Sequence, residues 1–175
     1  PKQILIQEAL GFKRPEYAHL PLILAPDRSK LSKRHGAVSV TEYKNEGYLP
    51  KAMINFLALL GWHPQTEREI FNLEELVKEF DLSRVQKAGA VFDQAKLDSI
   101  NNLYIKETVP AELGKLLKPY LDPYNPTEKE LVKTAHLFRD RLNKLSEIKE
   151  LGKFLFVQPK FDPNLLAWKE SNLKK

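Results

Sequence analysis

At 175 residues the chain is long enough to bury a core, either as one domain or as two small ones. Hydrophobic residues at 42% and charged residues at 29% exclude a disordered chain. A formal charge of +5 favours an anionic partner such as nucleic acid or a polyphosphate, and the lack of cysteine excludes disulfides and thiolate metal sites.

No apolar run approaches the roughly 20 residues that span a bilayer; the longest runs only from Met53 to Trp62. The first residues, PKQILIQEALG, lack the layout of a secretory signal. They start without an initiator Met in what reads as the middle of a helix, so a fragment is expected.

Residues 3–10 have helical propensity, with Gly11 placed as the stop. The stretch His19–Ala25 is short, apolar and punctuated by proline, which predicts a buried strand running into a loop. After the loop, AVSV (residues 37–40) suggests a short strand. Pro50 then opens a helix in which Met53, Ile54, Phe56, Leu57 and Leu60 recur at helical spacing, ending at Gly61. Trp62 and this stripe are expected in the core.

Asn72 with Glu75 forms a capping-box signature before a helix over Leu73–Phe80. Asp81 or Ser83 caps a further short helix expected to stop at Gly89. Asp93 caps one that carries Leu97, Ile100 and Tyr104 on one face. Pro110 opens a helix with Leu113, Leu116, Leu117 and Tyr120, and DPYNPT reads as a loop. Thr127 and Glu130 form a second capping box heading a stripe of Leu131, Ala135, Phe138 and Leu142. Shorter helices are expected over Glu147–Phe156 and Asn164–Lys169. The fold class is therefore mainly α with a small α/β part, finishing in a helical bundle.

Between Ala25 and Gly36 the chain reads APDRSKLSKRHG. Such a cluster of Lys and Arg is most often a solvated surface, and a nuclear-localisation or nucleic-acid patch is the next generic meaning. The Walker pattern is absent. Three details favour phosphate handling. Lys30 and Lys33 stand one helical turn apart, Leu31 is available as an anchor, and Gly36 permits a positive φ where the chain turns back. Two ammonium groups closing on a triphosphate would stabilise charge on a leaving pyrophosphate.

Lys30-Leu31-Ser32-Lys33-Arg34 resembles the KMSKS signature of class I aminoacyl-tRNA synthetases. The extension HGAVSV and the stretch Glu46–Trp62 (EGYLPKAMINFLALLGW) resemble bacterial-type glutamyl-tRNA synthetases. Phe92–Ile105 (FDQAKLDSINNLYI) and the opening PKQILIQEALG are similar to further segments of that family.

The resemblance implies a division into three. Residues 1–36 would be the end of a Rossmann-type catalytic domain, 37–106 a stem-contact fold, and 107–175 part of a helical anticodon-binding subdomain. It implies ATP-dependent activation of glutamate and transfer to tRNA(Glu) by a cytoplasmic monomer that meets no membrane. Mg2+ would accompany ATP, and no protein-bound zinc is implied. Lys33 would contact the ATP phosphates, Lys30 and Arg34 would support the loop's charge, and Ser32 would hydrogen-bond a phosphate or shape the loop. The family's HIGH signature and glutamate-recognising residues are absent, so the chain is expected to be a synthetase fragment that is inactive alone.

Other residues carry weaker signals. His35 could donate to a phosphate or simply shape the turn, and His19, His63 and His136 have no ligand-like spacing. Arg139, Arg141 and Lys144, with Lys149 and Lys153, could follow an RNA backbone. Equally, Asp140, Glu147 and Glu150 could pair with them on a solvated face. The competing functions are a non-catalytic RNA-binding helical module and a glutaminyl-type relative.

Overall fold

The computed structural model describes residues 2–36 and 39–158. Helices α1 (Lys2–Ala9), α2 (Val40–Glu46), α3 (Pro50–Gly61) and α4 (Leu73–Glu79) occupy the first half. Helices α5 (Gln94–Glu107), α6 (Pro110–Leu121), α7 (Glu128–Phe138) and α8 (Ile148–Leu151) form the second. Strands β1 (Ile23–Leu24) and β2 (Ala90–Val91) pair in parallel, with Ile23 opposite Ala90 and Leu24 opposite Val91. The class is mainly α with a small α/β part, as the sequence implies. Among the described residues no helix is long and apolar enough to cross a membrane.

Local chemistry explains most helix starts. At α4, the Asn72 amide donates to Glu75 Oε2 at 2.8 Å and the Glu75 amide returns a bond to Asn72 Oδ1 at 2.9 Å. Thr127 and Glu130 do the same at α7, and Asp93 accepts from the Lys96 amide at α5. These reciprocal bonds satisfy donors that the first helical turn leaves unpaired. Pro50 and Pro110 each take the first helical position, where no amide hydrogen is required.

One cluster of buried side chains runs from Tyr43 to Ile148 and joins α2, α3, α5, α6, α7 and α8. Leu113, Leu117 and Leu121 of α6 meet Leu131, Ala135 and Phe138 of α7 within it. The approach is close at Gly114, where an added Cβ would stand 3.1 Å from the Leu131 carbonyl carbon. A smaller cluster holds Trp62, Phe71 and Leu76. Asn55 is fully buried. It accepts from the Phe71 amide at 2.6 Å and the Tyr104 hydroxyl at 2.8 Å, and donates to the Glu69 carbonyl at 2.7 Å. A polar side chain at this depth is tolerable because both its oxygen and its nitrogen are hydrogen-bonded.

Several expectations need correction. The buried strand over His19–Ala25 shrinks to Ile23–Leu24, and Leu20 and Leu22 are exposed. Pro21 has no amide to give a ladder, and the pairing with β2 extends over only two residues. The AVSV strand is replaced at its end by a helix start: Ser39 caps α2 through a capping box with Glu42, and Val40 is the first helical residue. Ala37 and Val38 lie outside the described residues.

The helix expected to reach Gly89 is a single 3-10 turn, Leu82–Arg84, capped by Asp81. It stops because Val85 is drawn into an extended bridge with Trp62, and the Gln86 amide bonds the Gly61 carbonyl at 2.8 Å. Ile54 and Leu57 of the α3 stripe are exposed; Ala52, Met53 and Phe56 are the buried apolar residues of α3. The helix over Glu147–Phe156 breaks into 3-10 turns on either side of α8. The helix expected at Asn164–Lys169 lies outside the described residues.

Candidate functional site

The basic loop is held at its root. After β1 the chain makes a tight reversal: the Arg28 amide donates to the Ala25 carbonyl and the Ala25 amide donates to the Ser29 carbonyl, both at 2.8 Å. Asp27 Oδ1 accepts from the Ser29 amide at 2.9 Å. Arg28 takes a positive φ of 62° to close the turn. Lys30 then runs back in an antiparallel bridge with Leu24, and the Leu31 amide donates to the Ile23 carbonyl at 3.1 Å. Leu24 is thus flanked by Lys30 on one side and Val91 on the other. Gly89 permits this, since an added Cβ would fall 2.7 Å from Leu24 Cδ1.

Leu31 packs against the main core, as an anchor should, while Lys30, Lys33 and Arg34 are exposed. Their side chains have no hydrogen-bond or ion-pair partner among the described residues. Ser32 is half-buried. Lys33–His35 form one 3-10 turn, and Gly36 closes it with φ 112° and its amide on the Lys33 carbonyl at 3.3 Å. The positive φ expected of Gly36 is present. The helical turn expected between Lys30 and Lys33 is not. Lys30 belongs to the extended bridge and Lys33 to the 3-10 turn, so two different backbone elements present the two ammonium groups.

The segment that follows α7 lies against α2. Arg139 is the C-cap of α7, with Asp140 at 3.9 Å, and Arg141 is exposed. Lys144 is committed elsewhere: its Nζ lies 3.4 Å from Glu46 Oε2 and 5.8 Å from the centre of the Tyr48 ring. Glu147 accepts from the amides of Asn143 and Lys144 and so acts as a turn cap. The Leu145 amide donates to the Gly47 carbonyl at 3.1 Å, and Ser146 Oγ donates to the Glu46 carbonyl at 2.6 Å. From below, Asn101 and Asn102 donate to the carbonyls of Asn143 and Leu142 at 2.5 and 2.7 Å.

The hydroxyl of Tyr48 donates to Asp98, and burial pushes its ionisation well above the usual phenol range, with the Asp98 hydrogen bond adding to the shift. Burial likewise pushes Tyr43 up to about 12, helped by the charges of Glu46, Glu42 and Asp98. Both phenols therefore stay neutral at physiological pH; Tyr48 donates to Asp98 and Tyr43 packs against Phe92 and Tyr48. Among the described residues no cluster of three or more His, Asp or Glu could hold a metal ion.

Sequence reasoning passed over the α2 contacts. Ser39-x-x-Glu42 was a readable capping signature. The roles of Gly47, Ser146, Asn101 and Asn102 have no local signal, because their partners lie about 40 to 100 positions away in sequence.

Comparison with known proteins bears on the same residues. The family model "tRNA synthetases class I (E and Q), catalytic domain" matches residues 1–99, and the "Anticodon binding domain" model matches 112–175. A glutamate–tRNA ligase of Carboxydothermus hydrogenoformans is 50% identical over 86% of this chain and 33% of its own length. One from Aquifex aeolicus is 50% identical over 90% of this chain and 34% of its own. The crystal structure of a glutamate-tRNA synthetase from Elizabethkingia anophelis superposes with a TM-score of 0.77 at 35% identity, covering 93% of this chain and 37% of that one. The chain thus spans about a third of the length of the relatives it matches. With more than half of its residues matched by the catalytic-domain model, the chain belongs to the class I tRNA synthetases of the E and Q group.

Proposed function

We propose that these residues form the part of a cytoplasmic, monomeric glutamate–tRNA ligase that holds the ATP phosphates and begins the tRNA-reading surface. Residues 1–36 end its catalytic domain, 37–106 form the stem-contact fold, and 107–175 open the helical anticodon-binding region. The observation that carries this reading is the loop Lys30–Gly36. It is fixed at its root by β1 and Leu31 while its cationic side chains face outward. The names of the relatives weigh against a non-catalytic RNA-binding module.

In the first step a glutamate carboxylate oxygen attacks the α-phosphorus of ATP. The bond to the β-phosphate oxygen breaks, and pyrophosphate leaves with that electron pair. The Lys33 ammonium, supported by Lys30 and Arg34, neutralises the negative charge that grows on the departing phosphates. Ser32 shapes the loop beside Lys33. Mg2+ enters with ATP as part of the substrate. In the second step a terminal hydroxyl of tRNA attacks the acyl carbon and AMP leaves. No side chain becomes a nucleophile, so the chain contributes position and charge. Arg139 and Arg141 meet RNA phosphates at the end of α7, and Lys144 fixes the segment that carries them.

Lys33→Ala in the full-length ligase tests this directly. Glutamate-dependent ATP–pyrophosphate exchange should fall about 100-fold, the scale of losing one charge-stabilising group, while tRNA affinity stays within about twofold. Equal losses in both would overturn the phosphate role and favour an RNA-binding loop. The 175-residue chain alone should show no exchange even with tRNA present.

A further inference from the structure

Helix α2 has only seven residues, too few to be stable on its own strength. Yet its C-terminal end is held unusually well. The Gly47 amide bonds the carbonyls of Tyr43 and Lys44, and the Tyr120 hydroxyl reaches the Lys44 carbonyl at 3.4 Å. Ser146 Oγ takes the Glu46 carbonyl, the Leu145 amide takes that of Gly47, and Lys144 pairs with the Glu46 carboxylate. Helix C-termini normally leave such carbonyls to water. Gly47 has φ 93°, and an added Cβ would stand 2.7 Å from the backbone nitrogens of both Leu145 and Ser146. The two backbones touch because residue 47 has no side chain.

At its other end α2 starts at the Ser39–Glu42 capping box, three residues after Gly36, which closes the basic loop. Tyr43 fixes the middle of the helix, stacked at 5.8 Å on Phe92 and edge-on to Tyr48 at 5.4 Å. Phe92 in turn follows β2, and its amide bonds the Leu24 carbonyl at the root of the loop. The root of the loop is therefore tied to β1 directly and to α2 through Phe92.

We propose that α2 is a strut which sets the stance of the Lys30–Gly36 loop, and that Gly47, Ser146 and Lys144 are positioning residues acting through it. The segment 142–147, adjoining Arg139 and Arg141, is the abutment of that strut. A displacement there reaches the root of the loop through Tyr43, Phe92 and Leu24. This inference rests on the phosphate-handling role proposed for the loop, but the device itself can be measured without ATP or tRNA.

The test is amide hydrogen exchange by NMR on the 175-residue chain, comparing wild type with Ser146→Ala, Ser146→Thr and Gly47→Ala. Ser146→Ala should speed exchange of the Gly36 amide and its 3-10 turn about fivefold, the factor that follows from losing one such hydrogen bond. Amides inside α7 should be unchanged, and Ser146→Thr, which keeps the hydroxyl, should restore wild-type rates. Gly47→Ala should give a larger effect at the loop. Should that substitution unfold the chain, the Ser146 pair decides alone. Unchanged exchange at Lys33–Gly36 in Ser146→Ala, or an equal rise in α7, would overturn the strut. Loss of ATP–pyrophosphate exchange in Lys33→Ala is a separate result, so the strut and the phosphate role can fail independently.

Discussion

Residues 2–36 and the helical body that follows are both supplied with large apolar side chains, but they use them differently. Leu5, Ile6, Leu10, Phe12, Leu20 and Leu22 are all exposed, and among the described side chains of residues 2–36 only Ala25 is buried. In the body, Leu97, Ile105, Leu113, Leu117, Leu121, Leu142 and Ile148 have essentially no solvent contact. The body is held by side-chain burial. The first region is attached chiefly through backbone bonds at β1 and through one half-buried leucine, Leu31. A segment whose seven Lys and Arg side chains are all exposed is thus joined to the body without burying charge.

The sharpest way to break this contrast is a pair of leucine truncations. Leu117→Ala empties a fully buried site between α6 and α7 and should cost about 3 kcal/mol in urea denaturation. Leu20→Ala, at 72% exposure, should change stability by less than about 0.5 kcal/mol. Similar losses would show that residues 2–36 share the core after all.

Gly114→Ala comes next. Its Cβ would press on the Leu131 backbone, 3.1 Å from the carbonyl carbon, so α6 and α7 must part, at about 2 kcal/mol by the same measurement. Ser39→Ala removes the acceptor that caps α2 and should cost about 1 kcal/mol. The loss should be accompanied by faster exchange at Val40–Tyr43 ahead of any change in α7.

The smallest effect concerns pH. The Thr127 hydroxyl and amide hold the Glu130 carboxyl below its ordinary value, so folding favours its ionised form. That stabilisation is complete above the unfolded pKa and disappears as pH falls through the lower folded one. The melting temperature should therefore decline on acidification below about pH 4.5, and Thr127→Ala should flatten that part of the curve. A steeper decline in the variant would contradict the cap.

The contrast between the two regions also explains what could be read in advance. Asn72 with Glu75, Thr127 with Glu130, Asp93, Pro50 and Pro110 announce helix starts through partners three residues away or through their own ring geometry. The stripe Leu131, Ala135, Phe138 and Leu142 is buried as its spacing demands. Ser39 with Glu42 carries the same signature, while AVSV reads as a short strand because its valines are β-branched.

The apolar run His19–Ala25 misled because composition shows only that a segment could be buried, while burial needs partners on both faces. Within the site, the anchoring of Leu31 and the positive φ of Gly36 are properties of those residue types. The separation of Lys30 from Lys33 is not, since it depends on Leu24 pairing with Lys30. The same Leu24 also pairs with Val91 of β2, far along the sequence.

Parallel pairing of Ile23 with Ala90 has a kinetic corollary. Most bonds in the body close over a few positions, whereas this one must first bring together residues from opposite ends of a long intervening chain. Such closure is entropically costly and is rewarded only once the far side has a shape to dock on. The local helices are therefore expected to assemble first, and the root of the basic loop, like the bonds between Glu46–Gly47 and Leu145–Ser146, to be added late. The same hierarchy runs in reverse on heating: β1 should peel from β2 while Trp62 remains enclosed, so the charged loop is lost from its station before the body melts.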